Sequence, residues 1–476
     1  MICASCYFAI TIFTGSGSCF PVGFSVWYCP MKKSNTAKTV AVATLGCKVN
    51  QYESAAFQSC FAEQGYALAP VDKPADIYVI NTCAVTAKAA AQSRQLIRRV
   101  LRTNPEATVV VTGCYAQIAP QQIREIDKVH IAIVGNANKH QVHEAVLADK
   151  KLASLVQQNT GGKFFTEIAG LRELNPMPVK RFPGRTRAFL KVQDGCNNFC
   201  TYCIVPYARG RSRSLMPEKV LDQARLYGDE GYREIVLTGI HLGQYGLDLT
   251  PPRNLLDLLQ KLLAATPQIR YRLSSLETNE ISPDLLALMK NNDNLMPHLH
   301  IPLQSGADTI LQKMKRRYSA AQFIERVHLC REMMPEAAIG VDILVGFPGE
   351  TEEYFNQTFE LVSRLPLTYL HVFPYSKRPG TPAAKMGNQV GTKTKEERVA
   401  LLRELDHIKR KAFYAGSIGS VRSVLVETEK TGDGRGKGFT ENYIPVHFKA
   451  GPEDANCIVP VKLERLEDRF VVGTLV

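Results

Sequence analysis

Ten short runs rich in β-branched residues recur along this chain with amphipathic stretches between them, and that rhythm restricts most of it to parallel sheets with crossover helices. Four runs come first: "TVAVATLG" (39–46), "DIYVINT" (76–82), "ATVVVTG" (107–113) and "HIAIVGN" (130–136). Six more follow: "RAFLKVQDG" (187–195), "EIVLTGI" (234–240), "RYRLSSLE" (270–277), "HLHIPLQSG" (298–306), "IGVDILVGFPG" (339–349) and "TYLHVFPYS" (368–376). The first series predicts an open parallel α/β domain. The second predicts a partial (βα)6 barrel, with functional groups gathered at the C-terminal ends of its strands. From about Phe413 the pattern becomes alternating strands with Gly-rich turns, as in a small antiparallel β-barrel. The expected domains are therefore 32–150, a linker at 151–183, 184–412 and 413–476.

Residues 1–31 stand apart: they are apolar and Cys-rich, and the first positive charge is Lys32. A secretory signal needs a positive leading region, which this stretch lacks. It reads as a dispensable or non-native extension, with Met31 as the start. No window approaches 18 uninterrupted apolar residues, which predicts no membrane span. Thirteen cysteines, an odd count over 476 residues, do not resemble a disulfide framework and suit a reducing, cytoplasmic setting.

Six of those cysteines occupy special places. Cys47, Cys83 and Cys114 each follow the last residues of a predicted strand. Strand C-termini of an open parallel sheet share one rim, so the three thiols are expected to converge there. Three unrelated buried thiols are the alternative, since Cys is among the most buried residue types. Cys60, Cys330 and Cys457 read as core residues. Cys196, Cys200 and Cys203 form C-x3-C-x2-C in "QDGCNNFCTYCIVPYARGRSRS" (193–214), just after the first strand of the second series. Zinc wants four ligands, and only Asp194 could add one in that loop. An iron–sulfur cubane normally takes four thiolates, so three leave one iron open.

C-x3-C-x2-C at this place resembles the radical S-adenosylmethionine superfamily. The resemblance implies a [4Fe–4S] cluster on Cys196, Cys200 and Cys203 whose open iron chelates S-adenosylmethionine and cleaves it to a 5′-deoxyadenosyl radical. It also implies cofactor contacts at Gly239, Ser275, Glu277, Gln304 and Gly346. The three-part layout over residues 38–476 resembles the methylthiotransferases, which implies a second [4Fe–4S] cluster on Cys47, Cys83 and Cys114 and a TRAM-like RNA-binding tail. "TLGCKVNQYES" and "NTCAVT" resemble the branch that adds a methylthio group to C2 of N6-threonylcarbamoyladenosine at position 37 of tRNA, using two S-adenosylmethionine molecules. The runner-up is the isopentenyladenosine branch. A non-catalytic, metal-scaffolded RNA-binding protein is the alternative of another class. Such an enzyme implies an electron donor such as a flavodoxin or ferredoxin.

The chain's net charge of +13 makes a polyanionic partner reasonable, and residues 172–219 alone carry +7. Three basic runs are candidates for tRNA phosphate contact. Arg209, Arg211 and Arg213 alternate beyond the cysteine loop and are the favoured set; Arg94, Arg98 and Arg102 form a helical stripe; Lys313, Lys315, Arg316 and Arg317 are the third. The tail carries −1, so net charge gives no case for RNA binding there.

Overall fold

In a computed structural model that describes residues 37–147 and 164–476, all ten runs form strands. The extension at 1–31 lies outside the described residues. The first series gives β1 (Thr39–Thr44), β3 (Ile77–Thr82), β4 (Thr108–Gly113) and β5 (Ile131–Ile133), joined by a short edge strand β2 (Ala67–Leu68). Their order is β2-β1-β3-β4-β5, with every neighbouring pair parallel. A two-residue strand has no period to detect, which is why β2 was not legible in the sequence.

The second series gives β6 (Ala188–Lys191), β9 (Glu234–Thr238), β10 (Arg270–Leu273), β11 (His298–His300), β12 (Ala338–Val345) and β13 (Tyr369–Pro374). They form two parallel triplets, β6-β9-β10 and β11-β12-β13, joined where Tyr271 pairs with Leu295. Two further short strands, β7 (Gln193–Asp194) and β8 (Arg213–Ser214), pair antiparallel. That ladder closes the base of the cysteine loop. The tail is a closed barrel of β14 (Val421–Val426), β15 (Gly436–Thr440), β16 (Pro445–Phe448), β17 (Ile458–Leu466) and β18 (Val471–Leu475). The expected boundary at 412/413 falls inside a helix, Thr392–Ala415, whose Tyr414 is buried in the small barrel's core.

Helix α1 (Lys48–Glu63) is the joint between the first two domains. Its Tyr52, Phe57 and Phe61 belong to a core that also holds Phe189 and Leu190 of β6. The Tyr52 and Phe182 rings lie 6.5 Å apart, and Phe182 meets Phe189 edge-on at 5.7 Å. The described part of the expected linker, residues 164–183, is therefore a packed strap. Phe164, Met177, Val179 and Phe182 are buried in that core, and Tyr52 Oη donates to Met177 O at 2.7 Å. Their apolar area supplies the burial that loss of periodicity concealed. Cys330 is fully buried and Cys60 half-buried, but Cys457 is exposed, contrary to its reading as core.

Candidate active site

Each sheet presents cysteines in the same manner. Gly46, Gly113 and Gly195 directly precede Cys47, Cys114 and Cys196, and all three have positive φ, at 103°, 96° and 76°. At Gly113 a Cβ would lie 2.3 Å from Thr82 O, and at Gly195 2.0 Å from Arg211 O. Only glycine turns the chain there without displacing backbone. Gly195→Ala is expected to destabilise the fold by at least about 1–3 kcal/mol and to lower iron content with all six cysteines intact, measurable by thermal melts and iron assay.

β1, β3 and β4 are adjacent, so Cys47, Cys83 and Cys114 leave one rim from neighbouring strands. Asn50 of α1 fastens two of their loops, donating to Leu45 O at 2.6 Å and Thr82 O at 3.1 Å. Burial, then the neighbouring Cys114, pushes the Cys83 thiol up to about 11; burial also raises Cys47. Burial disfavours these groups as thiolates unless a cation compensates them, which suits a metal-bearing donor set.

The second trio lies in the loop closed by β7 and β8. Burial raises Cys203 to about 12, ahead of the effect of Cys200 and Cys196. Two residues buttress it: His241, missed in the sequence, and Arg316, read there as a phosphate contact. His241 places Nδ1 3.5 Å from Cys196 Sγ and Nε2 2.5 Å from Glu280. Burial alone would lower its pKa, but Cys196 and Glu280 outweigh that and raise it to about 10. Arg316 approaches Cys200 Sγ at 3.5 Å and pairs with Glu277. His241 sits two residues past Gly239, within reach of the "LTG" strand-end reading.

The two loops touch. Helix α2 (Cys114–Ile118) starts at a cysteine of the first trio and packs on the short helix Val205–Arg209, which follows Cys203. Ile204, Ala208 and Cys114 share one apolar cluster. Beneath them lies a buried ionic knot. Arg209 Nη1 donates to Asp194 Oδ1 at 2.9 Å and Glu53 Oε1 at 3.0 Å, and Nη2 donates to Asn50 Oδ1 at 2.5 Å. Lys139 and Lys191 also pair with Glu53.

This corrects the expected phosphate role of Arg209 and Arg213. Arg209 is 1% exposed and Arg213 3%. Arg209 is held by carboxylates, and Arg213 donates to Arg211 O and Arg209 O. Only Arg211 is exposed, its guanidinium 5.4 Å from the Phe199 ring centroid. In the helical stripe, Arg94 donates to Tyr115 Oη at 2.9 Å, while Arg98 and Arg102 are exposed. The third run adjoins the cysteine loop directly: Thr201 N donates to Met314 O at 3.0 Å, and Lys313, Lys315 and Arg317 are exposed, whereas Arg316, expected to contact phosphate, is committed to Glu277 and Cys200.

The expected cofactor residues separate in space. Glu277 lines a small cavity together with Cys200, His241 and Arg316. Gly239 backs onto Gln193, which donates from Nε2 to Gly195 O at 2.7 Å. Ser275 faces the barrel interior, 2.7 Å from His300 Nδ1. Gln304 adopts φ 67° in a bridge to Ile343. Gly346 N is engaged by Glu350 at 2.5 Å, and Lys395 covers the face a Cβ would occupy, so its N–H is not free for a ligand.

A larger cavity of about 840 Å³ opens between the barrel strands and the tail. Lys48, Arg272, His298, His300, Tyr369 and Tyr443 are among its lining residues. His300 and His371 approach Asp342 Oδ1 at 3.1 and 3.5 Å. Burial opposes it, but the two histidines hold the Asp342 carboxyl well below its usual range. Lys48 is solvent-accessible although protein surrounds it, as expected on a cavity wall.

Residues 190–362 match the model of the Radical SAM superfamily, and residues 39–135 match an uncharacterized protein family, UPF0004. Among solved structures, the radical S-adenosylmethionine methyltransferase TsrM from Kitasatospora setae shares the fold, with a TM-score of 0.53 at 15% identity over 73% of this chain and 77% of that one. Sheet, loop and family model together define a radical S-adenosylmethionine enzyme, a class that works with S-adenosylmethionine and a [4Fe–4S] cluster.

Sequence relatives narrow the class. The chain is 41% identical to the threonylcarbamoyladenosine tRNA methylthiotransferase MtaB of Bacillus subtilis (strain 168), over 89% of this chain and 93% of the relative. It is 39% identical to its namesake in Aquifex aeolicus (strain VF5), over 86% and 96%. It is 33% identical to a tRNA-2-methylthio-N(6)-dimethylallyladenosine synthase of Pelotomaculum thermopropionicum, over 92% and 98%. The chain belongs to the tRNA methylthiotransferase family, on the side of the threonylcarbamoyladenosine enzymes. Among the described residues, no helix is long and apolar enough to cross a membrane.

Proposed function

We propose that this enzyme adds a methylthio group to C2 of N6-threonylcarbamoyladenosine at position 37 of tRNA, in the cytoplasm, drawing electrons from a donor such as a flavodoxin or ferredoxin. Cys196, Cys200 and Cys203 would hold the radical cluster, and Cys47, Cys83 and Cys114 a second [4Fe–4S] cluster. When bound, these groups and S-adenosylmethionine supply a carbon radical able to take an unactivated hydrogen, and a sulfur to replace it. The observation that carries the reading is the direct packing of the Cys114 helix on the helix after Cys203, because sulfur donor and radical have to meet at one carbon. Glu277, Arg316 and His241 would orient S-adenosylmethionine and keep the radical loop rigid.

The deciding measurement is mass spectrometry of tRNA nucleosides from a deletion strain. Loss of 2-methylthio-N6-threonylcarbamoyladenosine, with its unthiolated precursor accumulating, is the expected result. Loss of the methylthiolated isopentenyl nucleoside instead overturns the substrate. For the RNA surface, Lys313, Lys315, Arg317 and Arg211 are exposed cations beside the radical loop. Replacing Lys315 and Arg317 by Ala is expected to weaken tRNA binding and to flatten its logarithmic salt slope by about 1 for each phosphate no longer neutralised. An unchanged slope rules out phosphate binding by these two side chains.

A further inference from the structure

Lys48 is the first residue of α1, immediately after Cys47, and it faces the 840 Å³ cavity. The other cations of that wall are mostly committed. Arg272 and Arg187 pair with Glu234, Arg187 also with Glu427, and Arg410 with Asp406. Arg185, which has no carboxylate partner among the described residues, lies over the Phe189 ring at 5.5 Å, ahead of β6. Burial and then Arg272 lower the Lys48 pKa, against Asp342, whose Oδ1 is already shared by His300 and His371. Among the described residues no hydrogen bond or ion pair reaches the Lys48 ammonium. An open cavity thus holds a cation that lacks an anion, one residue from a cysteine of the first trio.

The same wall offers flat rings. His300 stacks on Tyr369 at 5.9 Å and 14°, and Phe439 on Tyr443 at 4.8 Å and 23°. Guanidiniums lie over three of these rings, Arg187 over Phe439 at 4.8 Å, Arg272 over Tyr443 at 4.7 Å and Arg410 over Tyr369 at 4.7 Å, and a cavity lined by such stacked planes and one unpaired ammonium fits a planar base carrying an anionic substituent. Threonine joined through its amine to a carbamoyl group keeps a free carboxylate, whereas an isopentenyl substituent carries no charge and would leave the ammonium unpaired.

We infer that Lys48 is a specificity-determining residue, pairing with the threonyl carboxylate of the substrate base inside this cavity. The inference rests on the proposed substrate, and its test separates the two. Three anticodon stem-loops are compared on the reconstituted holoenzyme: one with threonylcarbamoyladenosine, one with its carboxylate capped as the primary amide, and one with the isopentenyl base. The unaltered enzyme is expected to bind the carboxylate form roughly 10- to 100-fold more tightly than the amide, the scale of a hydrogen bond to a charged group. Lys48→Gln should weaken the carboxylate form to the level of the amide and leave the amide unchanged, with Lys48→Arg restoring most of the difference. Equal loss on both ligands, or an unaltered enzyme blind to the amide cap, overturns the role of Lys48 while leaving the function intact. An enzyme that modifies only the isopentenyl stem-loop overturns both. The amide comparison needs no variant, so it stands even if Lys48→Gln fails to take up iron.

Discussion

Arg209→Ala is expected to lower the stability of the metal-free protein by about 3–5 kcal/mol, in thermal or urea unfolding, and to cost both clusters. The guanidinium bridges the junction, touching Asp194 beside the radical loop and Glu53 and Asn50 of the helix after Cys47. Its removal leaves Glu53, 0% exposed, and Asp194, 6% exposed, buried with their lysine partners but without the guanidinium donors that bridged them and Asn50. Arg211→Ala, two residues on and solvent-facing, is expected to change stability by less than about 0.5 kcal/mol. The contrast distinguishes a buried network from general loss of positive charge.

The pH dependence has a definite sign. Burial opposes ionisation of Asp194, yet Arg209 and Lys191 outweigh it and hold the carboxyl down at about 2; Glu53 is likewise held well below its ordinary range, by Arg209 and Lys139. A carboxyl whose folded value is depressed contributes stability above its unfolded value and loses it as the pH falls toward the folded one. The network's contribution should be complete at neutral pH and fade from the ordinary Asp value of 3.8 toward about 2. In Arg209→Ala the two carboxylates keep only their lysine partners and are protonated more readily, so the stability deficit should be largest at neutral pH and narrow on acidification. A deficit independent of pH would mean that lost packing, not lost charge pairing, is the cause.

The strands were legible because β-branched runs and their spacing are local signals, and the convergence of Cys47, Cys83 and Cys114 followed from strand ends sharing a rim. The ionic knot was not legible, because its members are distant. Glu53 and Arg209 are 156 residues apart, and Glu53 and Lys139 are 86 apart. On a sequence, "KVNQYES" reads as the polar start of a helix and "ARGRSRS" as a solvated basic strip. Charge clustering around the cysteine loop was real, but part of it neutralises buried carboxylates and is unavailable to phosphates. The local hint was Asp194, an acid one residue before the glycine of the loop and closing a two-residue ladder with Arg213. The supports His241, beyond a strand end, and Arg316, between two helices, were not legible in these roles for a related reason: they reach their cysteines across 45 and 116 residues.

Replacing Cys47, Cys83 and Cys114 together by Ala is expected to abolish the methylthiolated product while leaving S-adenosylmethionine cleavage in place, with iron falling from about eight to about four per chain as one of two [4Fe–4S] centres is lost. Replacing Cys196, Cys200 and Cys203 should remove both activities. The asymmetry follows from placement. The first trio leaves the rim of β1, β3 and β4, and its loops are held by Asn50, so Ala there keeps the loop at 195–212, which has its own ladder, its own left-handed glycine and its own support from His241 and Arg316. Cys47 is exposed and Cys83 and Cys114 are small buried side chains that are neutral thiols in the metal-free protein, so their exchange for Ala leaves little cavity and removes no charge. The metal-free triple variant should therefore melt no lower than the parent, and iron, deoxyadenosine formation and the modified nucleoside can be compared on equal folds. If deoxyadenosine formation disappears together with the product, the two centres do not act separately, and the division of labour between the trios is wrong.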